Sequence, residues 1–328
     1  MFRKHFLTLL PLLSLMLVAG LALAQFGPQM RRHMANQMRQ LQLVPATQQP
    51  PQQSRVQIEF VGNSRVITAN GMPEHKVGQF PNRGNPNPIT EQRYVYRVPA
   101  QPMAAVRTTP LGMQNFGICL NGVPFDPGAA EWYQGNPNGG WQYEALSGAV
   151  PLGIDANHAH VQPTGAYHYH GLPSGFLKDL NVNRSSHSPI IGWAADGFPI
   201  YALYGYKDPK DASSEIVELD SSYQLKTGTR PGGSRGPGGT YDGTFLADYQ
   251  FVSDKGDLDE CNGRFCVTPD FPEGTYAYFL TQHWPVIPRA YRGTPSSDFA
   301  RGPGRNQNGR GENGPPGRGP GGFPPPRR

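Results

Sequence analysis

Long apolar runs are absent after residue 24, so no later segment offers a membrane span. Charge is sparse as well. Asp, Glu, Lys and Arg make up 16% of the 328 residues and hydrophobics 37%, both low for a globular domain. What positive excess exists sits at the ends, in Arg3 and Lys4 and in the six Arg set against one Glu of 301–328. Residues 25–300 are slightly acidic, and this body gives no electrostatic reason to expect nucleic acid. Cysteine stops at Cys119, Cys261 and Cys266, and no internal repeat is present. Glycine and proline, by contrast, are plentiful, at 41 and 35 residues. Both end helices, which excludes a coiled coil or helical bundle. Aromatics at 11%, with 15 Tyr and 16 Phe, suffice for one core that is loop-rich and mostly strand.

Residues 1–24 read as a signal peptide. Arg3 and Lys4 form a charged start, Phe6 to Leu23 is apolar, and Ala22-Leu23-Ala24 is a small-x-small cleavage site. The expected location is therefore secreted, periplasmic or cell envelope. Residues 25–54, rich in Gln and Pro, read as a linker. From residue 55 to 67, Val56, Ile58 and Phe60 alternate with polar Gln57 and Glu59, a strand pattern. Tyr94 to Val98 is a second strand, and Asn121-Gly122 turns a hairpin between Phe116 and Phe125. Further short strands fall in 188–206, 249–253 and 274–280. The expected fold is one mostly β domain, sandwich- or barrel-like, over 55–298, with few short helices and long Gly/Pro-rich loops. The Gly/Pro/Arg-rich 299–328 reads as a disordered tail. Its basic charge suits a polyanionic envelope or matrix surface. Export permits disulfides, and Cys261 and Cys266 flank a turn-forming Asn262-Gly263, so a bridge between them is expected, with Cys119 left as a buried thiol.

Nine His are present, five of them between residues 158 and 187. Two His-x-His pairs, His158/His160 and His168/His170, flank Pro163-Thr164-Gly165. In a strand, residues i and i+2 share one face. A three-residue hairpin loop with a left-handed Gly165 would set Gln162 opposite Ala166 and Val161 opposite Tyr167. His160 then faces His168, and His158 faces His170. Four imidazoles land on one face, while Tyr167 and Tyr169 project to the other. Cross-strand Cβ atoms lie about 5 Å apart, close enough for several imidazole nitrogens to meet one ion. Nitrogen-rich coordination suits Cu or Zn rather than Ca or Mg. His187, His283, Asp155 and Asp196 are candidate further ligands or acceptors behind them. His75, in a polar segment, is set aside. Asp257-Leu258-Asp259-Glu260 resembles a calcium loop, but its Gly falls one position late for an EF-hand, and a polar turn is the simpler reading. A multicopper oxidase would need four His-x-His pairs, one of them with an intervening Cys, and is rejected.

Tyr167-His168-Tyr169-His170 resembles the signature of the YHYH domain, a family of mostly secreted proteins. The resemblance extends over about residues 90–295, through Asn121-Gly122-Val123-Pro124-Phe125, Ile191 to Tyr201, Leu258 to Arg264 and Gly274 to Thr281. It implies an exported domain with a His site, and no reaction. Three functions compete. The first is a metal-dependent hydrolase or oxidoreductase, with Tyr167, Tyr169 and Asp196 as the nearby acid/base groups. The second is a non-catalytic metal-binding module. The third is a cell-envelope or matrix interaction protein without catalysis.

Overall fold

A computed structural model describes residues 41–300. Strands Val56–Val61 and Ser64–Ala69 form an antiparallel hairpin, and Tyr94–Pro99 adds to its inner side. The alternation read as one strand over 55–67 is thus two strands. Gly62 takes a positive φ of 60°, so the chain reverses at Gly62-Asn63. Period-2 burial then sorts the side chains. Ile67, Ala69, Tyr94, Tyr96 and Val98 turn inward, while Val95 and Arg97 turn out. Val56–Val61 is the edge strand and is largely exposed, Phe60 at 68%.

Eight strands build the main sheet. Their spatial order is Gly263–Thr268, Phe271–Leu280, Pro199–Ala202, Gly192–Ala194, Gly117–Cys119, Pro124–Phe125, Tyr167–Tyr169 and Ala159–Val161. Two neighbouring pairs run parallel, setting Tyr169 beside Phe125 and Ile200 beside Tyr278, and the others are antiparallel. The sheets are open and close no barrel. The three-stranded sheet shares one core with the large one, where Tyr96 and Val98 join Ile118, Phe125, Tyr169 and Tyr278. Strands in the middle of the large sheet are covered on both faces, and all three residues of Tyr167–Tyr169 are buried. Along Phe271–Leu280 the period of two divides the residues. Tyr276, Tyr278 and Leu280 enter the main core, and Ala277 and Phe279 enter a smaller cluster with Tyr201 and Leu219. The fold is mostly β, and the one α-helix among the described residues is Ser174–Asp179. No helix of the described residues is long and apolar enough to cross a membrane.

Two sequence expectations change here. Residues 41–54, read as linker, are tied to the domain. Val44 N–H donates to Ile154 O, and Gln48 and Val77 exchange backbone bonds at 2.9 and 2.8 Å. All three cysteines are free and buried, so the expected Cys261–Cys266 bridge is not made. Cys261 packs in the main core and Cys266 in the smaller cluster, so the two side chains serve different packing layers. The expected signal peptide of 1–24, the remaining linker and nearly all of the tail lie outside the described residues.

Candidate metal centre

The hairpin forms around the loop read from sequence. Gly165 N–H donates to Gln162 O at 2.8 Å, and Gln162 N–H donates to Ala166 O at 3.0 Å. Gly165 has φ of 82°, the left-handed value that this loop requires. The register follows: Val161 faces Tyr167, His160 faces His168, and Ala159 faces Tyr169. A Cβ at Gly165 would also clash with Thr90 Oγ1. Gly165→Ala should therefore cost at least about 2 kcal/mol, from left-handed strain plus the clash. In a domain of this size that lowers the melting temperature by about 4 °C or more. A thermal melt within 1 °C of wild type, on the order of measurement error, would show that the loop relaxes freely.

Three imidazoles converge. The potential ligand atoms of His160, His168 and His170 all lie within 4.8 Å of one another. His168 Nε2 and His170 Nε2 are 3.1 Å apart, and the His160 ring stands 4.6 Å from each of the other two rings, centroid to centroid. His160 Nδ1 donates to Leu152 O at 2.9 Å and His168 Nδ1 to Ala166 O at 3.1 Å. Those bonds place the proton on Nδ1 and leave the Nε2 lone pairs pointing at the centre. His170 Nε2–H then donates to His168 Nε2, and His170 Nδ1 is buried without a hydrogen-bond partner. A cation at the centre would take the place of that proton, and this donor chemistry fits a nitrogen-preferring transition metal.

Electrostatics keep the cluster neutral. Burial pushes the His168 and His170 pKa values well below the usual 6.5, and the neighbouring imidazoles push in the same direction. Burial lowers His160 as well, although that ring is only half-buried and forms the side of the cluster nearest solvent. Near neutral pH all three are therefore unprotonated, as ligation requires.

His158 is not in the triad. Its backbone does sit opposite His170, whose N–H donates to His158 O at 2.7 Å. But His158 has φ of 54° and closes a turn with Asp155, and that left-handed residue breaks the two-residue alternation. Its Nδ1 instead donates to Leu172 O at 2.8 Å. Period 2 applies only inside the strand, which starts at Ala159.

The other candidate ligands are elsewhere. Asp155 is fully buried and accepts from Gly78 N, Asn157 N and Tyr167 Oη at 2.7–2.9 Å. Asp196 accepts from Tyr278 Oη at 2.5 Å and Gly293 N at 2.8 Å, and burial holds its carboxyl above the usual range. His187 donates Nδ1 to Ser188 O, and its ring packs 5.0 Å from Tyr201 and 4.9 Å from Tyr206. His283 is an exposed residue beside Asp220. Asp257 and Asp259 spend carboxylate oxygens on the backbone N–H groups of Asp220, Cys261 and Gly263, as a polar turn does.

Tyr167 and Tyr169 do project to the opposite face, into a second polar network. Tyr169 Oη donates to His75 Nε2 at 2.6 Å and accepts from Asn121 Nδ2 at 2.8 Å. His75, set aside on sequence grounds, is only 5% exposed and is part of this support. Neither tyrosine reaches the triad as an acid or base.

Sequence reasoning missed Asp126. It is 2% exposed, and its Oδ2 lies 3.8 Å from His168 Nε2 while accepting from Gln162 Nε2 at 2.9 Å. Its N–H donates to Tyr169 O, which continues the parallel pairing of Phe125 with Tyr169 and sets Asp126 next to His170. The signal was close at hand, because Asp126 directly follows Asn121 to Phe125.

Fold and site together define a mostly β domain whose open mixed sheet gathers three imidazoles and a carboxylate on one face. The chain belongs to the YHYH protein family, whose model matches residues 95–293. No curated protein and no solved structure matches it.

Proposed function

We propose that this is an exported protein that binds one transition-metal ion, Cu or Zn, through His160, His168 and His170. The observation that carries the reading is a triad of neutral imidazoles, two buried and one half-buried, with two Nε2 lone pairs already aimed inward. Left empty, such a cluster keeps imidazole lone pairs away from water with few partners, and a cation would satisfy them. Export is supported by the Arg3-Lys4 start and the Ala22-Leu23-Ala24 site. The basic tail adds an anchor to polyanionic envelope or matrix material. Metal analysis of untagged protein purified from its export compartment should find about one Cu or Zn per chain. Metal-free protein that also refuses both ions in titration would end the proposal.

A second reading, a metal-dependent hydrolase or oxidoreductase, draws on one feature. Three protein nitrogens leave a coordination position for water or substrate, and half-buried His160 lies on the solvent side. Asp126 bears on both readings, because its buried carboxylate lies 3.8 Å from the His168 nitrogen that faces the centre, where negative charge favours a cation. Asp126→Asn should weaken metal binding by about 10- to 100-fold with the fold retained. Unchanged affinity would remove Asp126 from the site.

A further inference from the structure

Against His158 lies a cavity of about 380 Å³ that the metal reading does not use. Its volume falls within the usual range for small-molecule pockets. Glu144, His158, Asp242, Tyr249, Gln282 and Trp284 line it. We infer that this cavity is a binding site for a polyhydroxylated ligand, a saccharide unit.

One wall is a rigid aromatic slab. The Trp284 and Tyr249 rings stack with centroids 4.1 Å apart and planes within 6°. Such a wall suits the apolar C–H face of a sugar ring. The polar lining is rich in acceptors. Glu144 is held by Arg289 Nη2 at 2.7 Å and by Trp284 Nε1 at 2.8 Å, and Asp242 is held by Arg230. His158 commits Nδ1–H to Leu172 O, so its Nε2 is a further acceptor.

Arg289 matches Glu144, whereas Arg230 is shared by Asp242 and the fully buried Asp248, so each of these carboxylates is held in place by a guanidinium. Paired carboxylates still accept hydrogen bonds from hydroxyl groups. An acceptor-rich pocket with an aromatic wall therefore suits a frame that carries many O–H donors. The left-handed backbone that removes His158 from the triad is what places it here. Such strain in a residue with a side chain concentrates at functional positions.

Arg289, which holds Glu144, also donates Nη1 to Pro127 O at 2.7 Å, one residue beyond Asp126.

The test uses the full chain, both metal-stripped and metal-loaded, because saccharide binding does not depend on the triad's occupancy. Neutral tetrasaccharides of glucose, xylose, mannose and N-acetylglucosamine are titrated by calorimetry and tryptophan fluorescence, with spermidine as the cationic comparator. At least one saccharide should bind saturably in both metal states. His158→Ala and Gln282→Ala should each weaken it about tenfold, the loss of one hydrogen bond. Phe60→Ser, on the distant edge strand, should leave it unchanged. Unaltered thermal melts of the two cavity variants separate lost contacts from lost folding. Failure of every saccharide, saturable binding of spermidine alone, or affinity unmoved by both cavity variants overturns the inference.

Discussion

His168→Ala should abolish stoichiometric metal binding, and His158→Ala should leave it intact. His168 sits at the middle of the triad, 3.1 Å from His170 Nε2 and facing His160 across the hairpin. Loss of a direct ligand should exceed the roughly 10- to 100-fold effect of losing an outer partner. Affinity should therefore fall by more than about a hundredfold, measured by competition with a chromophoric chelator for zinc and for copper. His170→Ala should behave alike. His160→Ala removes a half-buried ring at the solvent side, so its loss of metal can be scored in a variant whose core is least disturbed. His158 contacts Leu172 O rather than the triad, so its variant should bind within about threefold of wild type, a difference under 1 kcal/mol. Two results would sink the assignment: full metal content in His168→Ala, or equal losses in His158→Ala and His168→Ala.

Acid should unfold the metal-free protein well before neutral surface groups would account for it. The folded state holds His160, His168 and His170 below the usual pKa of 6.5, chiefly through burial. Buried His75 and His187 are displaced in the same direction. The unfolded chain binds protons near pH 6.5 and the folded chain does not, so stability is full above that pH and is lost as pH falls towards the folded-state values. Each such histidine contributes a slope of up to about 1.4 kcal/mol per pH unit, so the triad alone approaches about 4. Chemical denaturation at pH 7.5, 6 and 5 reads this directly. A triple variant with the triad replaced by Gln should keep only the shallower dependence due to His75 and His187. Equal stability of the metal-free wild type across that range would refute the neutral-triad description. Bound metal should be released over the same direction of pH change, because protons and the ion compete for the same lone pairs.

The hairpin was legible because its information is local. Pro163-Thr164-Gly165 sets a loop type, the loop sets a register, and the register brings His160 to His168. The mostly β character was legible for a related reason, since glycine and proline limit helix length while alternating residues mark strands. What escaped depends on longer reach or on single dihedral angles. Asp126 meets the triad only because Pro124–Phe125 lies parallel to Tyr167–Tyr169, and a parallel pairing carries no turn signal between its partners. His158 fell outside because one positive φ ended the alternation a residue earlier than the pattern implied. The spacing of Cys261 and Cys266 allowed a bridge, but the adjoining strand sends their side chains into different clusters. His75 looked solvent-facing because its neighbours are polar, whereas the phenol that buries it comes from the far side of the hairpin.

The alternation Tyr167-His168-Tyr169-His170 is cut like a key with teeth on both edges. One edge enters the imidazole cluster, and the other enters the phenol-accepting pocket of Asp155, Asn121 and His75. A slip of one residue would present phenols to the cluster and imidazoles to Asp155, so two unrelated locks would jam at once. The strand is thereby indexed from behind, by groups that never touch the ion. Ligand geometry should consequently survive removal of metal, and rebinding should proceed without a folding step.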